Sequence, residues 1–316
     1  MSGVSWRQAW TEALYGAGGF YRREAPAAHF RTSVHASALF AGALLRLACE
    51  CGLDRIVDLG AGRGELLNQV HRLDDRMALT AVDVAARPEG LPDAIEWRAE
   101  PPEPLTGLVV ANEWLDNLPC EVVEVGEDGT PHVVCVDSAS GAETLGPQPA
   151  EADAEWCARW WPLRANEAGT RAEVGRARDE AWAEVLGRLQ HGLAVAVDYG
   201  HTRETRPAYG SLRGYRRGRQ VAVRLDGSCD VTADVAVDSL AAAAGGVPVE
   251  QHRALTALGV AGVRPALRMA EHDPGGYLAG LGAATEAAEL TAAGGLGDHW
   301  WVLTATGGCS LPAWAA

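Results

Sequence analysis

Residues 55 to 70 constrain the fold of this chain more than any other stretch. Ile56, Val57 and Leu59 make a short apolar strand with Asp58 set into it. Gly60, Gly62 and Gly64 follow at alternate positions, and Leu66, Leu67, Val70 and Leu73 then recur at helical spacing. A glycine-rich loop therefore joins a buried strand to an amphipathic helix. Glycines in such a turn let the backbone reverse sharply and approach a ligand that any Cβ would push away. The pattern is the opening of a nucleotide site.

A dinucleotide site needs G-x-G-x-x-G with a pyrophosphate over the helix N-terminus. Here position 65 is Glu65, so the spacing fails and a carboxylate occupies the first helical turn. The run Asp58-x-Gly60-x-Gly62-x-Gly64 instead resembles motif I of the class I S-adenosylmethionine-dependent methyltransferases. That cofactor carries no phosphate, so its site needs close backbone approach and a carboxylate more than an anion cradle. The resemblance implies an acidic residue at the end of the second strand to bind the ribose hydroxyls, and Leu79-Thr80-Ala81-Val82-Asp83 supplies Asp83.

Bulk properties bound the rest. The 316 residues are 47% hydrophobic, enough for a substantial core in one large domain or two ordinary ones. A net charge of −15 argues against nucleic-acid binding, because phosphate neutralisation needs a basic face. The seven cysteines are odd in number and scattered, with no C-x-x-C or H-x-x-x-H spacing, so no metal site is expected and the compartment is a reducing one. The first residues contain no apolar signal core, and no apolar run approaches the ~20 residues of a membrane span, so the expectation is a cytoplasmic protein with no membrane partner.

Along the chain, residues 5 to 14 read as a helix with Trp6, Trp10 and Leu14 on one face. Thr32 or Ser33 is the expected cap of a second helix, which carries Leu39, Phe40, Ala43, Leu44, Leu47 and Ala48 and stops at Gly52. Residues 94 to 97 make a third strand, and Leu108-Val109-Val110-Ala111 a fully apolar fourth one ending in Asn112-Glu113-Trp114-Leu115-Asp116-Asn117-Leu118-Pro119. A fifth, 193 to 197, ends in Asp198-Tyr199-Gly200-His201. Polar side chains at the carboxyl ends of buried parallel strands are where open α/β sheets place their chemistry.

The stretch between strands four and five is far longer than a crossover needs. It holds an expected hairpin, 121 to 125 with 132 to 136, then Trp156, Trp160 and Trp161, then a helix over 176 to 190. Trp156 and Trp160 at i, i+4 mark a helix's buried face more readily than a groove. The basic segment around Arg213, Arg216, Arg217 and Arg219 reads as a solvated loop, Thr232 as the cap of an Ala-rich helix, 247 to 259 as a strand and helix, and 300 to 305 as a closing edge strand.

With these segments in order, the chain resembles the MidA-type methyltransferases, the group that includes the mitochondrial complex I assembly arginine methyltransferase. The likeness rests on Phe30-Arg31-Thr32-Ser33, the 58 to 64 loop, 111 to 119, Val197-Asp198-Tyr199-Gly200-His201, Ser211-Leu212-Arg213-Gly214-Tyr215 and Asp230-Val231-Thr232-Ala233-Asp234. It departs at Ala28, His29, Val34 and His35, where the family's Gly-Asp and Pro-Glu are lost, at Ala61 in place of proline, and at Gly218 in place of a histidine. The donor-side features survive these changes better than the acceptor-side ones.

The resemblance implies an α/β protein of the class I methyltransferase type. Its Rossmann-like, mostly parallel sheet would carry helices on both faces and a large insertion between strands 4 and 5. Residues 1 to 52 would form an N-terminal helical segment packing on a catalytic domain, 53 to 316, whose inserted cap covers about 113 to 192. S-adenosyl-L-methionine is the expected cofactor, held by Asp58, Gly60, Gly62, Gly64 and Asp83, with Thr32 and Ser33 closing over it. Glu113 and Asp116, with Asn112, Asp198 and His201, form the expected acceptor face, and Trp97 an adenine wall. The partner would be a protein or small-molecule methyl acceptor, arginine by resemblance, with a homodimer allowed. Competing readings are a weakly catalytic or non-catalytic assembly factor on the same fold, a small-molecule methyltransferase and, against the glycine spacing, a nucleotide-dependent oxidoreductase.

Overall fold

A computed structural model describes residues 3–23, 37–137, 140–163 and 167–315. The chain divides into two compact units. A sheet unit comprises Arg31–Asn112, Arg188–Tyr199 and Val247–Ala316, and an insert unit comprises Met1–Phe30, Glu113–Gly187 and Gly200–Gly246. These units cut the chain differently from the 1–52 and 53–316 division, because the N-terminal helix groups with the insertion and 200–246 joins them.

The sheet unit is built on seven strands: β1 (Arg55–Leu59), β2 (Ala78–Val82), β3 (Ile95–Arg98), β4 (Leu105–Asn112), β5 (Leu189–Asp198), β6 (Val247–Glu250) and β7 (Trp300–Thr306). Their spatial order is β6-β7-β5-β4-β1-β2-β3. The pairings β5–β4, β4–β1, β1–β2 and β2–β3 are parallel, and those of β7 with β5 and with β6 are antiparallel. From β1 the chain runs outward through β2 to β3, then returns to place β4 on the other side of β1. The order thus reverses between β1 and β4, the switch point at which an open α/β sheet leaves a crevice beyond its strand ends. Contrary to the expected closing edge, β7 lies inside the sheet, and β6 is the edge.

Alternation within the strands directs Ile56, Leu79, Leu108, Val110, Leu193, Val195, Val197, Trp301 and Leu303 into one core. Helix α1 (Ala38–Glu50) fills it with Phe40, Leu44 and Leu47, α2 (Glu65–Leu73) with Leu66, Leu67 and Val70, α3 (Gln251–Ala257) with Ala254 and Leu255, and α4 (Pro274–Thr291) with Ala287 and Leu290. Each fully buried leucine contributes about 2 kcal/mol of transfer free energy. The Phe40 and Trp301 rings meet edge-on, with centroids 5.9 Å apart. The Trp301 indole N–H donates to Gln251 Oε1 at 3.0 Å, and the Gln251 amide donates in turn to the Leu290 and Leu296 carbonyls, so this buried polar group is satisfied.

Thr32 and Ser33 lie outside the described residues. The cap of α1 is Ser37, whose Oγ accepts the Leu39 N–H at 2.9 Å. Among the described residues no helix is long and apolar enough to cross a membrane.

In the insert unit the expected hairpin forms, Glu121–Val125 against Pro131–Val136. Strands Arg171–Val174, Val4–Ser5 and Glu143–Leu145 extend it, all antiparallel. Trp6, Trp10 and Leu14 of the helix Trp6–Tyr15 form one core with Phe20, Val122 and Val231. Trp156 and Trp161 form another with Val123 and Val174, so the tryptophan cluster is largely core. The basic segment is a hairpin, Arg213–Arg216 with Arg219–Val221. Its turn residues Arg217 and Gly218 both have positive φ, as a two-residue turn matching strand twist requires. Thr232 lies in the strand Asp230–Thr232 and caps nothing. The Ala-rich helix Val237–Ala244 begins at Ala236 with no side-chain cap.

Candidate active site

The sequence-predicted donor residues meet at the switch point of the sheet unit. Gly60, Gly62 and Gly64 have φ of 69°, 60° and 78°, the left-handed region that a side chain would strain. The loop is tied to the end of β2: the Gly60 and Ala61 amides donate to the Val82 carbonyl at 2.9 and 3.2 Å, and the Gly62 amide donates to Asp83 Oδ2 at 2.9 Å. Asp83 Oδ1 accepts the Ala85 amide at 2.8 Å. Both carboxylate oxygens are thus fixed by backbone. Trp97, on β3, donates its indole N–H to the Ala85 carbonyl at 3.0 Å, which sets its ring beside the segment following Asp83.

The electrostatics of this loop are acidic. Asp58 is buried on β1, and burial, reinforced by the charges of Asp83 and Glu65, pushes its pKa well above the ordinary carboxylate value. Burial raises Asp83 as well, with the Ala85 and Gly62 amides pulling it back and Glu65 adding to the rise. Glu65 Oε2 accepts the Arg63 amide at 2.9 Å and stands at the start of α2. Acidic groups around a glycine cradle do not suit a pyrophosphate. A diol for Asp83, a positive charge near Glu65, and room where glycines carry no Cβ are what an adenosyl sulfonium offers and needs. Asn112 and Asp198 end the neighbouring strands β4 and β5, where Asn112 is in register with Val197, and Asp198 is buried.

The remaining predicted residues belong to the insert unit and stand in different surroundings. Glu113, the next residue in the chain after β4, has φ of 50°, and its carbonyl accepts the Asn117 side-chain amide at 3.4 Å. Asp116 is buried: Oδ1 accepts from Asn117 Nδ2 at 2.9 Å and Oδ2 from the Thr232 hydroxyl at 2.5 Å. His201 packs edge-on to Trp161, centroids 4.6 Å apart, and its Nδ1 meets the Arg206 guanidinium, which also pairs with Asp238. Burial and that guanidinium drive the His201 pKa down to about 3, so the imidazole is neutral throughout the physiological range.

Sequence reasoning missed three groups here. Arg178, 1% exposed, donates to the carbonyls of Leu118, Ala233, Asp234 and Asp116 at 3.1, 3.0, 3.0 and 2.6 Å, which locks 116–118 to 233–234. Tyr21 donates its hydroxyl to Asp230 Oδ1 at 2.9 Å, and Tyr15 donates to the Asn117 carbonyl at 3.2 Å. The two tyrosines flank a Gly-rich turn and Asp230 opens a segment on which the family resemblance rests, which was the available signal. Among the described residues no group of His, Cys, Asp and Glu could hold a metal ion.

A parallel-stranded switch point, a glycine cradle without a phosphate site and a carboxylate pinned beside it define an S-adenosylmethionine-dependent methyltransferase. Comparison with known proteins agrees. Residues 46–252 match the family model described as "Putative S-adenosyl-L-methionine-dependent methyltransferase", and the chain belongs to that family. Two crystal structures from Burkholderia thailandensis are similar over 99% of this chain and 90% of theirs, each with a TM-score of 0.79. One, 24% identical, is a COG1565 superfamily member described as a "likely methyl transferase" and bound to S-adenosyl-homocysteine. The other, 25% identical, is the native structure of an uncharacterized protein of the same superfamily. No curated protein matches the chain. The enzyme is an S-adenosylmethionine-dependent methyltransferase.

Proposed function

We propose that this enzyme methylates a protein side chain, an arginine by its resemblance to the MidA-type group, on a class I fold with its insertion between β4 and β5. Bound S-adenosylmethionine supplies an electrophilic methyl group on a sulfonium. Gly60, Gly62 and Gly64 admit the donor by withholding Cβ atoms, Asp83 accepts the ribose hydroxyls, and Glu65 supplies negative charge to a cationic ligand. Asn112 and Asp198, at the carboxyl ends of β4 and β5, present polar groups beyond the sheet.

A guanidinium stays protonated near neutrality because its pKa exceeds ~12. It therefore needs a carboxylate to orient it and draw its proton away. Glu113 is assigned that role, with Asp116 in support, and His201 contributes a neutral imidazole. The observation that carries the reading is the backbone of Glu113. A non-glycine residue held at φ 50° directly after β4 is a costly conformation of the kind found at active sites. Methyl transfer is mostly a matter of positioning, and a fixed carboxylate at a strand end is a positioning device. The intracellular compartment expected from the cysteines is part of the same reading.

The test is incorporation of label from methyl-tritiated donor into extract from cells lacking the protein. Label should enter protein with wild type and vanish with Glu113→Ala, while calorimetry shows S-adenosylhomocysteine binding kept in both. Donor binding without label in any fraction would replace this reading with an assembly role, and label confined to metabolites would replace the protein acceptor.

A further inference from the structure

The sheet unit has a hollow of about 540 Å³ at the amino end of β5, away from the carboxyl strand ends where the donor residues meet. Two free thiols line it, Cys51 just past α1 and Cys309 beyond the end of β7. Both sulfurs lie against one backbone oxygen: Cys51 Sγ is 4.0 Å and Cys309 Sγ 3.8 Å from the Ser310 carbonyl. The two side chains also hydrogen-bond to each other. Their backbones are held in place. The Cys51 amide donates to the Leu47 carbonyl and the Cys309 amide to the Thr306 carbonyl, each at 3.1 Å. The His191 ring meets the Gly307 carbonyl at 2.8 Å, and the Trp314 indole N–H donates to Glu50 Oε2 at 3.5 Å. The segment after β7 is therefore tied both to β5 and to the end of α1.

We propose that Cys51 and Cys309 form a reversible oxidation site, which a peroxide converts into a disulfide joining the end of α1 to the segment after β7. A disulfide requires two thiols brought together on backbones that need not move, and an open approach for the oxidant. The shared carbonyl, the anchored segments and the hollow supply these. Where thiols are kept reduced, such a pair serves sensing rather than structure. The site is remote from the acceptor chemistry and does not depend on it.

The order of events follows from the proton. Burial, then the Cys309 sulfur and the Glu50 charge, push Cys51 up to about 11, so Cys51 keeps its S–H near neutrality and donates it. Cys309 is the acceptor and hence the first nucleophile. Its thiolate attacks one peroxide oxygen and the O–O bond breaks. Cys309 becomes a sulfenic acid, and the departing hydroxide takes up the thiol's proton as water. The Cys51 sulfur then attacks the Cys309 sulfur, the S–O bond breaks, and a second water leaves with the Cys51 proton. The two thiols together lose two electrons and the peroxide gains them. Other cysteines are poorly placed to compete. Cys120, Cys157 and Cys229 are buried, and burial pushes Cys120 up to about 11 and Cys157 up to about 12. Cys49 is exposed on the last turn of α1 and is the natural control.

The experiment treats the reduced full chain with hydrogen peroxide, blocks remaining thiols with iodoacetamide and maps peptides by mass spectrometry without reduction. The expected product is a Cys51–Cys309 crosslink, lighter than the reduced pair by two hydrogens and reversed by dithiothreitol. Cys49→Ser should leave it unchanged, whereas Cys51→Ser should stop the reaction at the Cys309 sulfenic acid, which dimedone traps. Because the bond closes a loop over most of the chain, the oxidised protein should unfold on the order of 5 °C higher than the reduced one. S-adenosylhomocysteine binding by each variant checks that it is folded. Wild type that gains no crosslink, a crosslink through Cys49 instead, or an oxidised form that unfolds at a lower temperature than the reduced one would each overturn the proposal.

Discussion

The Gly62 amide donates to Asp83 Oδ2 at 2.9 Å, so the loop after β1 and the acid after β2 are one hydrogen-bonded unit. The bond fixes the orientation of the carboxylate that a ligand would meet. Asp83→Asn keeps the shape but replaces a charged acceptor with a neutral amide. Hydrogen bonds to charged groups contribute about 1.5–3 kcal/mol. The expected outcome is a ten- to hundredfold loss, by the same order-of-magnitude reasoning, in S-adenosylhomocysteine affinity, read by calorimetry, with little change in the unfolding temperature of the unliganded protein.

Gly62 and Gly64 test the cradle itself. An added Cβ at Gly62 would sit 3.3 Å from Glu65 Oε2, and one at Gly64 would sit 2.7 Å from Leu91 Cδ1, in both cases on a left-handed backbone. Alanine in that region costs about 1–2 kcal/mol. Each single Gly→Ala variant should lose about that much stability in urea unfolding. Each should also lose donor affinity, Gly64→Ala more of its stability because Leu91 must move. A variant that bound S-adenosylhomocysteine as tightly as wild type would remove that glycine from the site.

The sheet unit was legible in the sequence because its determinants are local. The Gly60–Gly64 spacing, the apolar runs at 56–59, 79–82 and 108–111 and the acid at 83 each declare themselves within a few residues, and sheet pairing brings them together. The insert unit was less legible because its polar groups are made by distant partners. Asp116 depends on Thr232, Asp230 on Tyr21, and Arg178 on four carbonyls from two segments. No periodicity encodes those meetings. Helix α4 escaped for another reason: its Ala- and Gly-rich sequence has no apolar stripe, and only Asp273 before Pro274 announces it, with Asp273 Oδ1 accepting the Gly276 amide at 2.8 Å. The strand 300–306 was legible as a strand, but its place inside the sheet follows from register with β5 and β6, which a single segment does not reveal.

Arg178 should be the least replaceable side chain of the insert unit. Its planar fork reaches four carbonyls at once while its guanidinium lies 5.8 Å from the Trp10 ring centroid. Lysine carries the charge but cannot span the same acceptors. Stranding buried carbonyls costs about 1–3 kcal/mol each, so Arg178→Lys is expected to lower unfolding stability by at least about 3 kcal/mol. Hydrogen exchange should show the loss first at 116–118 and 230–234. Wild-type protection there in the variant would contradict the assignment.

Buried titrating groups give stability a pH signature with opposing signs. Asp230 and Asp179 are pushed up to about 7 and about 6. A carboxyl whose folded pKa is raised stabilises fully below its unfolded pKa of about 3.9, and that stability is lost as pH rises through the folded value. His201 and His299 are pushed down to about 3 and about 4 by burial. A histidine held neutral loses stability as pH falls from about 6.5 toward the folded value. Asp230→Asn removes the first effect at one site. The unfolding temperature of the variant minus that of wild type should therefore climb from about pH 4 to about pH 7, with its steepest part at about pH 5.5, midway between the unfolded and folded values, and level off above neutrality. A flat difference would show that Asp230 ionises in the fold as freely as in the unfolded chain.

Glu113 separates strain from scaffold. Its φ of 50° is one of only two positive values at non-glycine positions among the described residues, and the other, Arg217, sits in a hairpin turn that demands it. Glu113 instead follows a buried strand and precedes the turn at Asp116. If the conformation is kept for the carboxylate, glycine should relieve it, because glycine enters the left-handed region without the ~1 kcal/mol that other residues lose there. Glu113→Gly should then unfold at a temperature equal to or above wild type, bind S-adenosylhomocysteine normally and transfer no label. If the side chain serves instead to hold the 113–119 turn, Glu113→Gly will be clearly destabilised. Its lost activity would then recover under conditions, such as added osmolyte, that restore the fold. Both quantities come from one preparation of the variant, thermal unfolding giving the first and tritium transfer the second, and the strain account requires them to move in opposite directions.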